Sequence, residues 1–128
     1  MFMKPTPVYT SDAPAAIGPY SQGMRAGNLI FFSGQIPLCP KTGEVVGGSV
    51  TAQTEQAVAN IAALLKEAGI GFDSVVKTTC FLTSMDDFAE FNAVYAKYFV
   101  SKPARSTVAV LALPKGVSVE IEIVALSG

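Results

Sequence analysis

Apolar and polar positions along the chain change their period several times, and each change predicts an element. Residues 29–33, Leu-Ile-Phe-Phe-Ser, form a short apolar run ended by Gly34, the pattern of a buried strand. The stretch Pro37-Leu-Cys-Pro-Lys-Thr-Gly43 is dense in turn-forming residues and reads as a loop. Further on, Val58, Ile61, Leu64, Leu65 and Ala68 recur at helical spacing. Thr51 is the expected N-cap of this helix, Ala68 its expected limit and Gly69 its stop. Ser74 to Thr83 is rich in Val, Thr and Phe and predicts a strand. Ser84-Met85-Asp86-Asp87 has the form of a helix N-terminal cap. The helix it opens carries Phe88, Phe91, Val94, Tyr95, Tyr98 and Phe99 on a broad apolar face, with Pro103 as its outer limit.

The last segment alternates with period two. One face of residues 105–111 carries Arg105, Thr107, Ala109 and Leu111, and the other carries Ser106, Val108 and Val110. Residues 119–123 put Val119, Ile121 and Ile123 on one face and Glu120 and Glu122 on the other. With Pro114-Lys115-Gly116 as the turn, the two segments predict a hairpin. Matching its apolar faces gathers Arg105 and Thr107 near Glu120 and Glu122 as a polar patch. Strand, helix, strand, helix, strand, strand in this order predicts an α+β fold, one sheet with both amphipathic helices on one face. The uncovered face would then show Phe81, Ala109 and Leu111.

Length and composition sharpen this picture. The 128 residues fit one domain, 1–128, with no repeat or linker to divide them. Half of the residues are hydrophobic and only 15% are charged, more apolar than an average soluble domain. Burying that surplus against further copies of the chain predicts a homo-oligomer. No apolar run approaches the roughly 20 residues of a membrane span. The opening Met1-Phe2-Met3-Lys4-Pro5 does not read as a secretory signal. Two cysteines make no disulfide framework, and a reduced cytoplasmic setting is expected.

Charge and residue type exclude several chemistries. The net charge is −1 and the nine basic residues are scattered, so nucleic acid is not an expected partner. The chain has no histidine, which rules out a Ser-His-Asp triad, a Cys-His dyad and any histidine-ligated metal. No metal or cofactor is expected. Arg105 and Glu120 read either as a cross-strand ion pair or as a site in which Arg105 grips a carboxylate and Glu120 moves a proton. Glu122 is the less favoured carboxylate. Tyr20, in Gly18-Pro-Tyr-Ser-Gln22, anchors a loop or faces a site. Ser33-Gly34 is a turn or a source of backbone donors near a ligand, and Asn92 is a helix-surface polar group or a site residue. Cys80 reads as inert core, and Cys39 lacks an activating partner.

Pro103-Ala-Arg105-Ser-Thr-Val and Val119-Glu-Ile-Glu122 resemble the C-terminal signature of the RidA family (YjgF, also known as L-PSP endoribonucleases). Gly18-Pro-Tyr-Ser-Gln22, Phe32-Ser-Gly-Gln-Ile-Pro37, Pro40-Lys-Thr-Gly-Glu44 and Phe91-Asn-Ala-Val-Tyr95 match its other blocks in order. The resemblance implies a chorismate-mutase-like single domain with a mixed sheet and two helices on one face, assembled as a homotrimer with clefts between subunits. It implies hydrolysis of reactive enamine and imine acids (2-aminoacrylate, 2-iminopropanoate, 2-iminobutanoate) to 2-keto acids and ammonia. Arg105 would then bind the substrate carboxylate and Glu120 would activate water. Tyr20, Ser33, Gly34 and Asn92 would shape the cleft, with Tyr20 a catalytic residue beside Glu120. Position 107, often cysteine in the family, is Thr107 here; binding through its backbone should persist while thiol chemistry is lost. Two alternatives stay open: an RNA-directed translation inhibitor or endoribonuclease, and a non-catalytic carboxylate-binding or chaperone-like protein.

Overall fold

Each long periodic segment becomes an element near its expected bounds in the computed structural model, which describes residues 4–128. The Met1–Met3 start, part of the segment read above as unlike a secretory signal, lies outside the described residues. The strands are β1 (Thr6–Val8), β2 (Gly23–Ala26), β3 (Leu29–Phe32), β4 (Val75–Leu82), β5 (Ala104–Ala109) and β6 (Val119–Leu126). The helices are α1 (Val50–Glu67) and α2 (Phe88–Tyr98). Helix α1 is capped by Ser49, not by Thr51: the Ser49 hydroxyl accepts from the Ala52 N–H at 3.0 Å. Thr51 lies inside the first turn and gives both its N–H and its hydroxyl to Glu90 of α2. The other end closes as expected, with Gly69 at φ +78° and the Ile70 N–H returning to the Leu65 carbonyl. Ser84 caps a short 3-10 turn that runs into α2, accepting from the Asp86 N–H.

The six strands form one mixed sheet in the order β1-β2-β3-β6-β4-β5, antiparallel throughout except for the parallel β4–β5 pair. The expected hairpin of the last two strands is therefore absent. Strand β5 returns beside β4 after the α2 crossover, and β6 inserts between β3 and β4. Burial explains the choice. Val119, Ile121, Ile123 and Ala125 are all buried, so β6 needs neighbours on both sides and a covered face. Strand β5 is mostly exposed and suits the edge.

The register settles which side chains share a face. Thr78, Cys80 and Leu82 of β4 align with Arg105, Thr107 and Ala109 of β5 and with Ile123, Ile121 and Val119 of β6. This is the face that both helices cover, where Ile61, Leu64, Leu65 and Phe91 complete the core. Phe81 aligns with Val108 and Glu120 on the opposite, uncovered face. Phe31, Val108 and Leu126 add exposed apolar area to that face, each 43–48% accessible. Of the three apolar residues expected there, Phe81 is present. Ala109 instead faces the helices in register with Leu82, and Leu111 lies past the end of β5, fully exposed.

Candidate active site

The residues singled out from the sequence fall into two groups on opposite faces of the sheet, and the polar patch uniting them does not form within one chain. Side chains alternate along β5 and β6 as expected, but β5 pairs with β4 in place of β6, which turns Arg105 and Thr107 toward the helices while Glu120 and Glu122 face away. Arg105 and Glu120 therefore do not make an ion pair. Among the described residues the one salt bridge is Lys97–Glu55.

The first group surrounds Glu120 in a pocket of about 450 Å³. Its walls come from the 14–22 loop (Pro14, Ile17, Tyr20), the 33–38 segment (Ser33, Gly34, Ile36, Leu38) and the turn before β6 (Pro114, Lys115). Buried amides hold these walls. The Gln22 carboxamide accepts from the Thr10 N–H and donates to the Thr10, Ala13 and Pro14 carbonyls, which shapes the loop carrying Tyr20. Asn60 of α1 donates to the Ile36 and Leu38 carbonyls at 3.2 and 3.0 Å. Tyr20 is 54% exposed, and its hydroxyl accepts from the Ile17 N–H. The Ser33 hydroxyl donates to the Ser21 carbonyl at 2.7 Å, so its proton is already committed. Gly34 is required by closeness: a Cβ there would overlap a Glu120 carboxylate oxygen. Burial, and secondarily the charge of Glu122, pushes the Glu120 carboxyl above the usual carboxylate range. Such a group passes protons more readily near neutrality than an exposed glutamate does.

The second group lies along one stripe of α2. Phe88, Asn92 and Tyr95, at i, i+4 and i+7, present a single face to Arg105. The Arg105 Nη1 donates to the Asn92 carboxamide oxygen at 2.7 Å. The guanidinium carbon stands 4.7 Å from the Tyr95 ring centre and 5.5 Å from that of Phe88. A second pocket of about 480 Å³, lined by Asn92, Tyr95, Phe99, Lys102 and Arg105, opens here. With one of its five donors on Asn92, the guanidinium keeps the others for a planar anion such as a carboxylate. Thr107, beside Cys80 on the same face, turns its hydroxyl inward, where it meets no hydrogen-bond partner among the described residues. Burial pushes the Cys80 thiol up to about 11, which makes it inert core as expected. Cys39 sits in the 37–43 loop, its thiol lowered by hydrogen bonds from Thr42.

Two members of the second group were not anticipated as site residues. Phe88 and Tyr95 read as plain core positions. The signal was present: Asn92 interrupts the apolar stripe midway between them, and a polar residue there invites a polar guest on the stripe.

Known proteins agree with this architecture. The family model described as Endoribonuclease L-PSP matches residues 10–127. The chain belongs to this family, the RidA/YjgF proteins. Within the RidA/YjgF family it is 56% identical to a candidate regulator, AldR, of Lactococcus lactis, over 92% of this chain and 94% of that one. It is 50% identical to the chloroplastic Reactive Intermediate Deaminase A of Arabidopsis thaliana, over 92% of this chain and 64% of that longer protein. The solved structure of a candidate endoribonuclease of Thermotoga maritima superposes with a TM-score of 0.94 at 49% identity, covering 98% of this chain and 99% of that one. The α+β RidA/YjgF fold expected from the sequence is thus the fold of this chain. No helix among the described residues is long and apolar enough to cross a membrane.

Proposed function

We propose that this chain is a cofactor-independent deaminase of 2-imino acids, acting on 2-iminopropanoate and 2-iminobutanoate and their enamine tautomers as a cytoplasmic homotrimer. One observation carries the reading: an arginine without an acidic partner among the described residues and a glutamate with a raised pKa occupy opposite faces of one sheet. A single chain cannot bring them onto one small substrate. A second copy, burying the apolar uncovered face against the β5 edge, can. The Arabidopsis relative named as a deaminase supports the same chemistry.

In this reading Arg105 takes the substrate carboxylate through its free donors, and Asn92 keeps the guanidinium flat against the helix. Thr107 contributes its backbone beside Arg105. Tyr20, Ser33 and Gly34 frame the imine next to Glu120 of the neighbouring protomer. The Glu120 carboxylate accepts a proton from water as the water oxygen bonds to the imine carbon, and the C=N electron pair moves to nitrogen. Glu120 returns the proton to nitrogen. The carbinolamine hydroxyl then gives its proton to Glu120, which passes it to the amine nitrogen, and as the C–N bond breaks the oxygen lone pair forms C=O and ammonia leaves. Holding the acid and placing the water supply most of the acceleration, because an imine carbon is already electrophilic.

The test couples a threonine dehydratase to its substrate and follows decay of the imine in ultraviolet absorbance, with this protein and with Arg105→Ala. Accelerated decay that is lost in the variant is expected. No acceleration for any dehydratase-derived imine would overturn the reading. The description of the family as endoribonucleases motivates one further arm, cleavage of RNA, for which no product is expected from a chain of net charge −1 with scattered cations.

A further inference from the structure

We propose that Tyr95 is a positioning residue for Arg105, which it holds from beneath by a closed circuit of contacts; the inference rests on the carboxylate-binding reading of that arginine. The circuit runs through both layers of the fold. Arg105 on β5 is in register with Thr78 on β4. The Thr78 hydroxyl meets the Tyr95 hydroxyl at 2.8 Å. The Tyr95 ring lies under the Arg105 guanidinium at 4.7 Å. Arg105 is thus tied to the sheet by its backbone, and its far end is tied to the same register position through the tyrosine.

Three features separate this from ordinary core packing. Tyr95 is only 6% exposed, yet its hydroxyl is satisfied by a buried threonine, so the ring cannot swing without breaking a buried hydrogen bond. The ring is also held by a near-parallel stack on Phe99, with ring centres 4.4 Å apart. The platform is therefore rigid, while Arg105, exposed on an edge strand, has only Asn92 as a hydrogen-bonding partner among the described residues. A long side chain so placed would otherwise sample many rotamers, and fixing it in advance lowers the cost of capturing an anion. The Tyr95 hydroxyl faces Thr78 and not the guanidinium, so the tyrosine acts through Arg105 and not on substrate.

The experiment compares Arg105→Ala, Tyr95→Leu and Tyr95→Phe in the coupled imine assay, with titration of 2-ketobutyrate as a readout independent of turnover. Tyr95→Leu removes the platform and is expected to raise KM and the 2-ketobutyrate Kd roughly 10-fold, as loss of a partly desolvated cation–π contact would, with kcat changing far less. Tyr95→Phe keeps the ring but loses its anchoring hydrogen bond to Thr78, and should raise KM and Kd by clearly less than Tyr95→Leu. Thermal unfolding of each variant monitors the fold. Should Tyr95→Leu fail to fold, Thr78→Val frees the ring from its anchor and is expected to raise KM in the same direction. If Arg105→Ala abolishes turnover and weakens 2-ketobutyrate binding while Tyr95→Leu and Thr78→Val leave KM and Kd at the parent values, positioning by Tyr95 is wrong and the carboxylate reading survives. If Arg105→Ala itself changes neither KM nor Kd, both fall.

Discussion

On the proposed reading, Glu120 shows at the residue scale how one position would serve chemistry at the expense of the fold. Its carboxyl is raised by burial and by Glu122, so ionising it costs more in the folded protein than in the unfolded chain. For a raised acid the favourable contribution is full below the unfolded pKa and disappears as pH climbs through the folded value. At neutral pH the group therefore destabilises. Glu120→Gln should melt at a higher temperature than the parent at pH 7, with the difference closing as pH falls into the carboxylate range, while imine hydrolysis drops by roughly 10²–10⁴-fold. Calorimetry beside the coupled assay checks both halves; a variant that gains stability and keeps its activity would remove the proton-transfer role. Glu122→Gln should shift the acidic limb of the kcat/KM profile downward, since one of the two influences raising Glu120 is gone. Salt should blunt that shift, because Glu122 is exposed. Gly34→Ala should cost activity for a steric reason, as its Cβ displaces the Glu120 carboxylate.

At the scale of elements, what could be read from the sequence depended on how far each signal reached. Strands β3 and β4 are legible as elements from an apolar run and from β-branched content, both helices show their faces by helical spacing, and β6 shows its faces by side-chain alternation. The edge hairpin was not anticipated. Strand β1 contains Pro7, which only an edge tolerates, and β2 is Gly-Met-Arg-Ala, without a β-branched residue. Yet the two residues between β2 and β3 are Gly27-Asn28, with Gly27 at φ +63°, a hairpin turn legible in hindsight. The pairing of β5 could not be read from its own residues, because both of its faces carry small or apolar groups and the α2 crossover makes β4 the equal rival of β6. That single choice dispersed the predicted polar patch. The α1 cap carries a testable consequence of its own. Glu90 bonds the Thr51 N–H and hydroxyl, and those bonds hold its carboxyl below the usual range. A lowered acid stabilises above its unfolded pKa and loses that effect as pH falls through the folded value. Glu90→Gln should lower the melting temperature at pH 7, and the gap to the parent should vanish in acid.

At the scale of the whole molecule, the two half-sites make a claim that neither shows alone. Arg105 looks into the helix side of an edge strand and Glu120 into a pocket on the other face, so the proposed reaction calls for one group from each of two protomers. The apolar excess in the sequence points the same way, because Phe31, Val108 and Leu126 leave apolar area exposed on that face for a second copy. Light scattering should give three times the 13.4 kDa chain mass. Phe31→Asp, which sets a charge in that face, should lower both the mass and the activity. The decisive experiment mixes two inactive proteins. Arg105→Ala retains a good Glu120, and Glu120→Gln retains a good Arg105. Denatured together and refolded at equal amounts, they form mixed trimers, and a site is intact wherever a Glu120→Gln protomer supplies its arginine to a neighbouring Arg105→Ala protomer. Random assembly makes this true of about a quarter of the sites, so about a quarter of the parent activity should return. A site built within one chain would be dead in every combination. Zero recovery from mixed trimers of verified composition would therefore reject the shared site, whereas recovery near a quarter cannot arise from either variant alone.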